Sequence, residues 1–394
     1  MNRPLRYAAL ALVALPGTLL TACGDDSTPT ASTPASSSPA SSSGATVTTT
    51  APSATTAGVG ASGISPERCA ANRKAGKITY LSGFDFAAAA GIVDAVVAKE
   101  KGYFTTMCLD VEIRSSFSTA NYPLVAANQA QFASAGSYVE MLTFNKDGAD
   151  LVAVVHDGKV GVDALLYKPE NGIKSLADLK GKTIGVKGAL PPSQVAMLAK
   201  AGVKHKADTK EVILDGFDPK AHWKLPIDAL PVYKSNEPGQ LDTAGVTYGV
   251  FDPAKEGIPA SFGVIYTNRK FLTEHPTAAQ DFVRATRKGM ADAIANPDEA
   301  VTISFKLITA GGNKNFLSDA GERYRWKVES KIVADSTPKG QGVGVVDGTD
   351  LVKQVDVYLA AGVFSARPKT DGTFDEALGK GVFAPDGSLI WPTS

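Results

Sequence analysis

Residues 78–113 read ITYLSGFDFAAAAGIVDAVVAKEKGYFTTMCLDVEI. Ile78-Thr79-Tyr80-Leu81 is a short apolar run with β-branched and aromatic members, which predicts a buried strand. A glycine-containing loop, Ser82 to Phe86, follows. From Ala87 to Lys101 the side chains of Ile92, Val93, Val96 and Val97 fall on one helical face, and Gly102 supplies the stop. Leu109-Asp110-Val111-Glu112-Ile113 alternates and predicts the next strand. Strand, loop, helix and strand in this order place two parallel strands side by side under a helix.

The unit repeats outward from there. Pro123 opens a helix through Asn128, Gln131-Phe132-Ala133 is a strand, Gly136-Ser137 leads into a helix from Tyr138 to Asn145, and Leu151 to His156 is a strand. The pattern restarts after Ala164-Leu165-Leu166-Tyr167. A capped turn at Ser175–Leu179 precedes the strand Thr183–Val186 and a helix around Gln194–Lys200. Val212–Leu214, Ala229-Leu230 and Val246–Phe251 supply further strands, and Phe262–Tyr266 reads as a return segment. A long amphipathic helix from Pro276 to Ala295 uses Phe282, Val283, Met290 and Ile294, and helices dominate from there on. Phe374, Phe383 and Trp391 give the tail apolar weight to pack. The expected architecture is α/β with parallel sheets in two lobes: residues 66–168 and 264–394 form lobe 1, and 169–263 form lobe 2. The chain crosses near Lys168–Gly172 and Ile258–Gly263, and ligand loops sit at strand C-terminal ends.

The 394 residues carry 40 Lys+Arg and 40 Asp+Glu, which excludes an electrostatic nucleic-acid binder. The balance is uneven along the chain. Residues 1–22 hold Arg3 and Arg6, an apolar run from Ala8 to Leu15, and Leu19-Leu20-Thr21-Ala22 before Cys23, the layout of an export signal. The apolar run, broken by Pro16-Gly17, is short for a membrane span. Residues 23–65 are almost all Ser, Thr, Ala, Pro and Gly, charged only at Asp25 and Asp26, and predict a flexible tether with a reach of about 35–40 Å. Without residues 1–26 the body keeps 38 basic and 38 acidic residues, which favours a ligand held by stacking and hydrogen bonds.

Leu20-Thr21-Ala22-Cys23 resembles the bacterial lipobox. The resemblance implies cleavage before Cys23, acylation there, and an extracytoplasmic body held to the cell membrane by two or three acyl chains. Cys69 and Cys108 then remain, each just ahead of a strand; in an oxidising compartment they suit one disulfide, two buried thiols being the alternative. His156, His205, His222 and His275 lack metal-ligand spacing, and no GxSxG or Ser/His/Asp pattern points to catalysis; no cofactor is implied.

Val97-Ala98-Lys99-Glu100-Lys101-Gly102-Tyr103-Phe104 with Leu109 to Ile113, Ser175 to Val186 (SLADLKGKTIGV), Asn236-Glu237-Pro238, and Phe271-Leu272 through Ala300-Val301 together resemble ABC-transporter solute-binding proteins. The subgroup is the NMT1-like one for nitrate, sulfonates and thiamine-pyrimidine precursors, and the similarity spans roughly residues 77–310. The resemblance implies a periplasmic-binding-protein fold of type II with C-terminal helices. It implies a monomer that closes on a small molecule and delivers it to membrane permease subunits, with no catalytic residue. A thiamine-pyrimidine-like planar heterocycle is the expected ligand. A sulfonate, nitrate or flavin in the same fold, an extracytoplasmic enzyme, and a sensory lipoprotein are the alternatives. The subgroup's usual Asp-Trp and Asn/His-rich loop is replaced here by Gly83 to Ala89.

Phe84 and Phe86 flank Asp85 at a strand end, where rings sandwich a planar ligand and a carboxylate accepts from ring amines; core packing is the plain alternative. Ser116-Phe117 and Ser134 with Ser137 follow the second and third strands and offer hydroxyls, Ser137 being equally an N-cap. Gly188 to Ser193 enters a helix of the other lobe. Tyr233, Asn236 and Glu237 stack on or read the donor edge of a ring, or form a surface turn; Trp223 is a lid candidate.

Overall fold

The structure, a computed structural model, describes residues 59–60, 63–145, 149–312 and 317–392. The export signal, Cys23 and nearly all of the expected tether lie outside the described residues.

Ten strands build the two main sheets: β1 Lys77–Leu81, β2 Asp110–Arg114, β3 Phe132–Ala135, β4 Leu151–Gly158, β5 Asp163–Tyr167, β6 Thr183–Val186, β7 Lys210–Ile213, β8 Ala229–Tyr233, β9 Gly249–Phe251 and β10 Phe262–Asn268. The first sheet has the order β2-β1-β3-β10-β4 and the second β7-β6-β8-β5-β9. The two orders are the same pattern. In each sheet one strand runs antiparallel to its neighbours, β10 in the first and β5 in the second. Both are strands on which the chain arrives from the other sheet, so the all-parallel expectation fails at the two crossings. The first crossing also comes earlier than expected, at residues 159–162, because β5 pairs with β8 from Asp163↔Tyr233 to Tyr167↔Ala229 and so belongs to the second sheet.

The helix expected from Ala87 begins only at Val93. Residues 87–92 run as turns because their amides are claimed from outside: Ala88 N–H donates to Glu322 and Ala90 N–H to Glu329. Gly91 adopts φ +76° and packs against Gly263, itself at φ +63°, where a Cβ would stand 2.8 Å from Ala90. This close approach ties the returning β10 to the loop after β1.

Every residue of β4 and β10 is buried. On one face of the first sheet Phe132 stacks on Phe282 with centroids 3.9 Å apart, and Phe104 stacks on Phe282 at 5.2 Å. Phe282 belongs to the helix Pro276–Ala295, whose apolar stripe lies in this core. The same helix carries Arg287, fully buried, which bridges Asp94 and Asp157. Burial pushes both carboxyls upward, and the guanidinium opposes the shift.

Cys69 and Cys108 are joined by a disulfide that closes a separation of 39 residues. Loop entropy puts its contribution at about 4 kcal/mol. It fixes the helix Pro66–Arg73, which is also held ionically: Arg68 Nε donates to Asp281 at 2.7 Å and Asn72 Nδ2 donates to the same carboxylate at 2.7 Å. The tail packs: Phe374 lies beside Ala153 of β4, and Trp391 meets Tyr103 edge-on at 5.1 Å. No helix of the described residues is long and apolar enough to cross a membrane.

Candidate functional site

A cavity of about 460 Å³ opens between the two sheets, at the C-terminal ends of their parallel strands. The wall from the first sheet is built by two loops sewn together. Ser118 N–H donates to Gly83 O at 2.8 Å, Asp85 N–H to Ser116 O at 3.0 Å, and Ser116 N–H to Ser82 Oγ at 3.0 Å. This pairing sets Phe84 edge-on to Phe117, centroids 5.7 Å apart. Gly83 is needed beneath them, since a Cβ there would lie 2.7 Å from Ser134 Oγ and 3.0 Å from the Ser134 carbonyl. Ser134 lies within β3, next to its last residue, and Glu140 comes from the following helix, Tyr138–Phe144.

The wall from the second sheet uses Lys187 after β6, Phe217 after β7, Tyr233 at the end of β8, and Asn236 and Glu237 after it. Glu237 is buried and fully engaged: one oxygen takes Lys187 Nζ at 2.7 Å, the other takes Tyr233 N–H at 2.9 Å. Lys187 Nζ also lies 5.7 Å from the Phe217 ring centroid. Glu237 therefore shapes this wall and positions Lys187.

A third contribution comes from the helix Asp319–Ser336. Glu329 accepts from Ala90 N–H at 2.8 Å with one oxygen and from Ser235 Oγ at 2.8 Å with the other, so it touches both walls. Burial pushes its carboxyl above the ordinary range, and Arg325 pulls the other way. Arg325 donates to Glu322 at 3.2 Å.

Of the residues expected from the sequence, Phe84, Phe117, Ser134, Tyr233, Asn236 and Glu237 line the cavity. The others stand outside its lining. Asp85 adopts φ +49° and accepts from Phe86 N–H at 2.8 Å, and Phe86 packs in the core around Trp326. Ser116 donates to Asn121 Oδ1. Ser137 caps its helix by accepting Glu140 N–H at 3.1 Å. Gly188 forms a turn at φ +88°, and Ser193 donates to Asp163. Trp223 meets Tyr248 edge-on, away from the cavity. Lys187, Phe217, Glu140, Arg325 and Glu329 were not expected. Ser137 and Glu140 have the spacing of a capping box. The Glu140 carboxylate instead turns to Ser118 Oγ at 2.6 Å. Arg325 and Glu329 read as ordinary charges of a helix face.

Residues 90–300 match the family described as NMT1/THI5 like, more than half of the chain. The chain belongs to this family. A riboflavin-binding protein, RibY, of Chloroflexus aurantiacus is 28% identical over 310 residues, covering 74% of this chain and 82% of the relative. A formylaminopyrimidine-binding protein of Halalkalibacterium halodurans is 28% identical, covering 56% and 67%. The Escherichia coli periplasmic aliphatic sulphonate-binding protein SsuA superposes with a TM-score of 0.57 at 14% identity, covering 75% of this chain and 91% of its own. The fold is thus the two-lobed periplasmic-binding-protein fold, and the family relatives are binding proteins. The chain is a solute-binding protein, not an enzyme.

Proposed function

We propose that this chain is the extracytoplasmic receptor of an ABC importer, anchored through acylated Cys23, and that it captures a planar heterocycle between its lobes. The observation that carries this reading is the aromatic surface on both walls. Phe117 (52% exposed) and Phe84 come from the first sheet; Phe217 (49%) and Tyr233 (52%) come from the second. Large rings left half-exposed around a ligand-sized cavity are ready to bury a flat ring. Closure then follows as a population shift, because a bound ring contacts both walls only when they approach. The named ligands of the two relatives, riboflavin and formylaminopyrimidine, are planar heterocycles and support the same reading.

The test is calorimetric titration of the full chain with riboflavin, 4-amino-5-hydroxymethyl-2-methylpyrimidine, ethanesulfonate and nitrate. A ring ligand should bind, and Phe84→Ala should weaken it roughly 10-fold or more, the scale of a lost aromatic contact. Cys23→Ser should leave that affinity unchanged and release the protein from the membrane fraction. Binding of ethanesulfonate or nitrate with no ring bound sinks the ligand class; retention of Cys23→Ser at the membrane sinks the anchor.

A further inference from the structure

One helix grips both walls of the cavity. The helix Asp319–Ser336 is rooted beside the first sheet, where Trp326 is fully buried in one apolar cluster with Val93 and Met290 and its Nε1 donates to Ala293 O at 2.8 Å. Glu322, Glu329 and Ser336 are seven residues apart and share one face of this helix. Each makes a hold. Glu322 accepts from Ala88 N–H at 2.7 Å. Glu329 is buried and accepts from Ala90 N–H of the first wall with one oxygen and from Ser235 Oγ, beside the second wall, with the other. Ser336 Oγ accepts from Lys159 N–H at 3.1 Å, which pins the end of the helix to the first crossing. The second crossing meets the first close by, since a Cβ on Gly161 would stand 3.0 Å from that of Ala260. Tyr324 OH donates to Lys234 O at 3.2 Å and Arg325 Nη2 to Asn236 Oδ1 at 3.4 Å, on either side of Ser235.

Seven helical residues, about 10 Å, separate Glu329 from the pinned Ser336. If the two sheets rotate about the crossings by about 15°, the size of a known rigid-body switch, an arm of that length carries the Ser235 contact about 3 Å. A hydrogen bond does not stretch so far.

We propose that Glu329 and Ser235 form a latch that holds the two walls together before a ligand arrives. Opening the cleft breaks the Ser235 bond and spares the Ala90 bond, because Ala90 and Glu329 move together with the first sheet. The latch biases the open–closed equilibrium toward the arrangement described here, and a ligand then supplies only the rest of the closing free energy. Ser235 is 1% exposed and stands outside the cavity lining, so it acts by positioning the wall rather than by touching a ligand. The device does not depend on which molecule the site takes.

The experiment measures, with no ligand added, the distance between spin labels on Ser115→Cys and Asp215→Cys. These are exposed residues just past the edge strands β2 and β7, on the side where the cavity opens. The full chain carries Cys23→Ser, which leaves the Cys69–Cys108 disulfide and no other thiol to take a label. Ser235→Ala and Glu329→Ala should shift the distances to longer values. Glu329→Gln keeps an acceptor for Ala90 N–H and offers an amide donor to Ser235 Oγ, so it should hold the short distance. Thermal unfolding of each variant runs alongside. Ser235→Ala removes a single hydroxyl and decides the matter if Glu329→Ala fails to fold. A Ser235→Ala chain with unchanged distances overturns the latch, whether or not its stability falls. So does a Glu329→Gln chain as open as Glu329→Ala, since a side chain able to bond both walls would then fail to hold them.

Discussion

The two sheets share one strand order and differ in what covers them. In the first, the edge strand β4 is buried along its whole length, and the tail completes it: Ala153 N–H donates to Thr373 O and Asp375 N–H to Ala153 O, both at 2.9 Å. In the second, the corresponding edge β9 leaves Val250 48% exposed, and at the opposite edge β7 leaves Val212 at 41% and Ile213 at 63%. Strand order follows from local crossings, and both halves solve that problem alike. Stability follows from where the remaining chain goes, and helices and tail after residue 268 cover the first sheet. The second sheet keeps a smaller core, so its outer strands should open at lower free energy.

The contrast breaks most decisively at Arg287. Arg287→Leu strands Asp94 and Asp157 in the core of the first half. It should cost about 3–5 kcal/mol in chemical denaturation. Amide exchange should accelerate in β1 and β4 before it does in β6 and β8. A loss under about 1 kcal/mol would show that this ionic centre does not support the first sheet.

His156, on β4, sharpens the contrast. Both ring nitrogens are buried, and burial, helped by Lys159 and opposed by a hydrogen bond with the Gly158 backbone, pushes the imidazole down to about 3. The unfolded ring titrates near 6.5. Between those values the unfolded chain takes up a proton that the folded chain refuses, so stability falls as the pH drops from about 6.5 toward 3. His156→Leu should flatten that slope and change stability at pH 7 by less than about 1.5 kcal/mol. An acid slope unchanged by the substitution would assign it to other groups.

The smallest effect belongs to the bare edge. Ile213→Thr keeps a β-branched residue and should stay within about 0.5 kcal/mol. A loss beyond about 1.5 kcal/mol would mean that β7 is covered in solution.

Local periodicity made much of this legible. The helix Pro276–Ala295 and the strands β1, β6 and β8 announce themselves through apolar spacing and short hydrophobic runs. Residues 87–92 misled because an alanine-rich run favours a helix, and nothing nearby reveals that Glu322 and Glu329 claim its amides. The site divided in the same way. Phe84, Phe117 and Ser134 follow visible strands, so a strand-end rule finds them. Arg325 and Glu329 reach the cavity from a helix more than 80 residues beyond Glu237, and helical spacing alone does not separate them from solvent-facing charges. Glu140 was hidden by its own capping-box spacing, which explains a glutamate there without a ligand.

The helix Pro66–Arg73 has a mechanical consequence. Tension arriving at Ser65 meets a helix tied by the disulfide to Cys108 and through Arg68 and Asn72 to Asp281. Such a pull passes through the disulfide to Cys108, just ahead of β2, so the loop of residues 70–107 lies off the line of tension. The same restraint keeps force applied at the N-terminal end from reaching β1 directly, and with it the loop that carries Phe84.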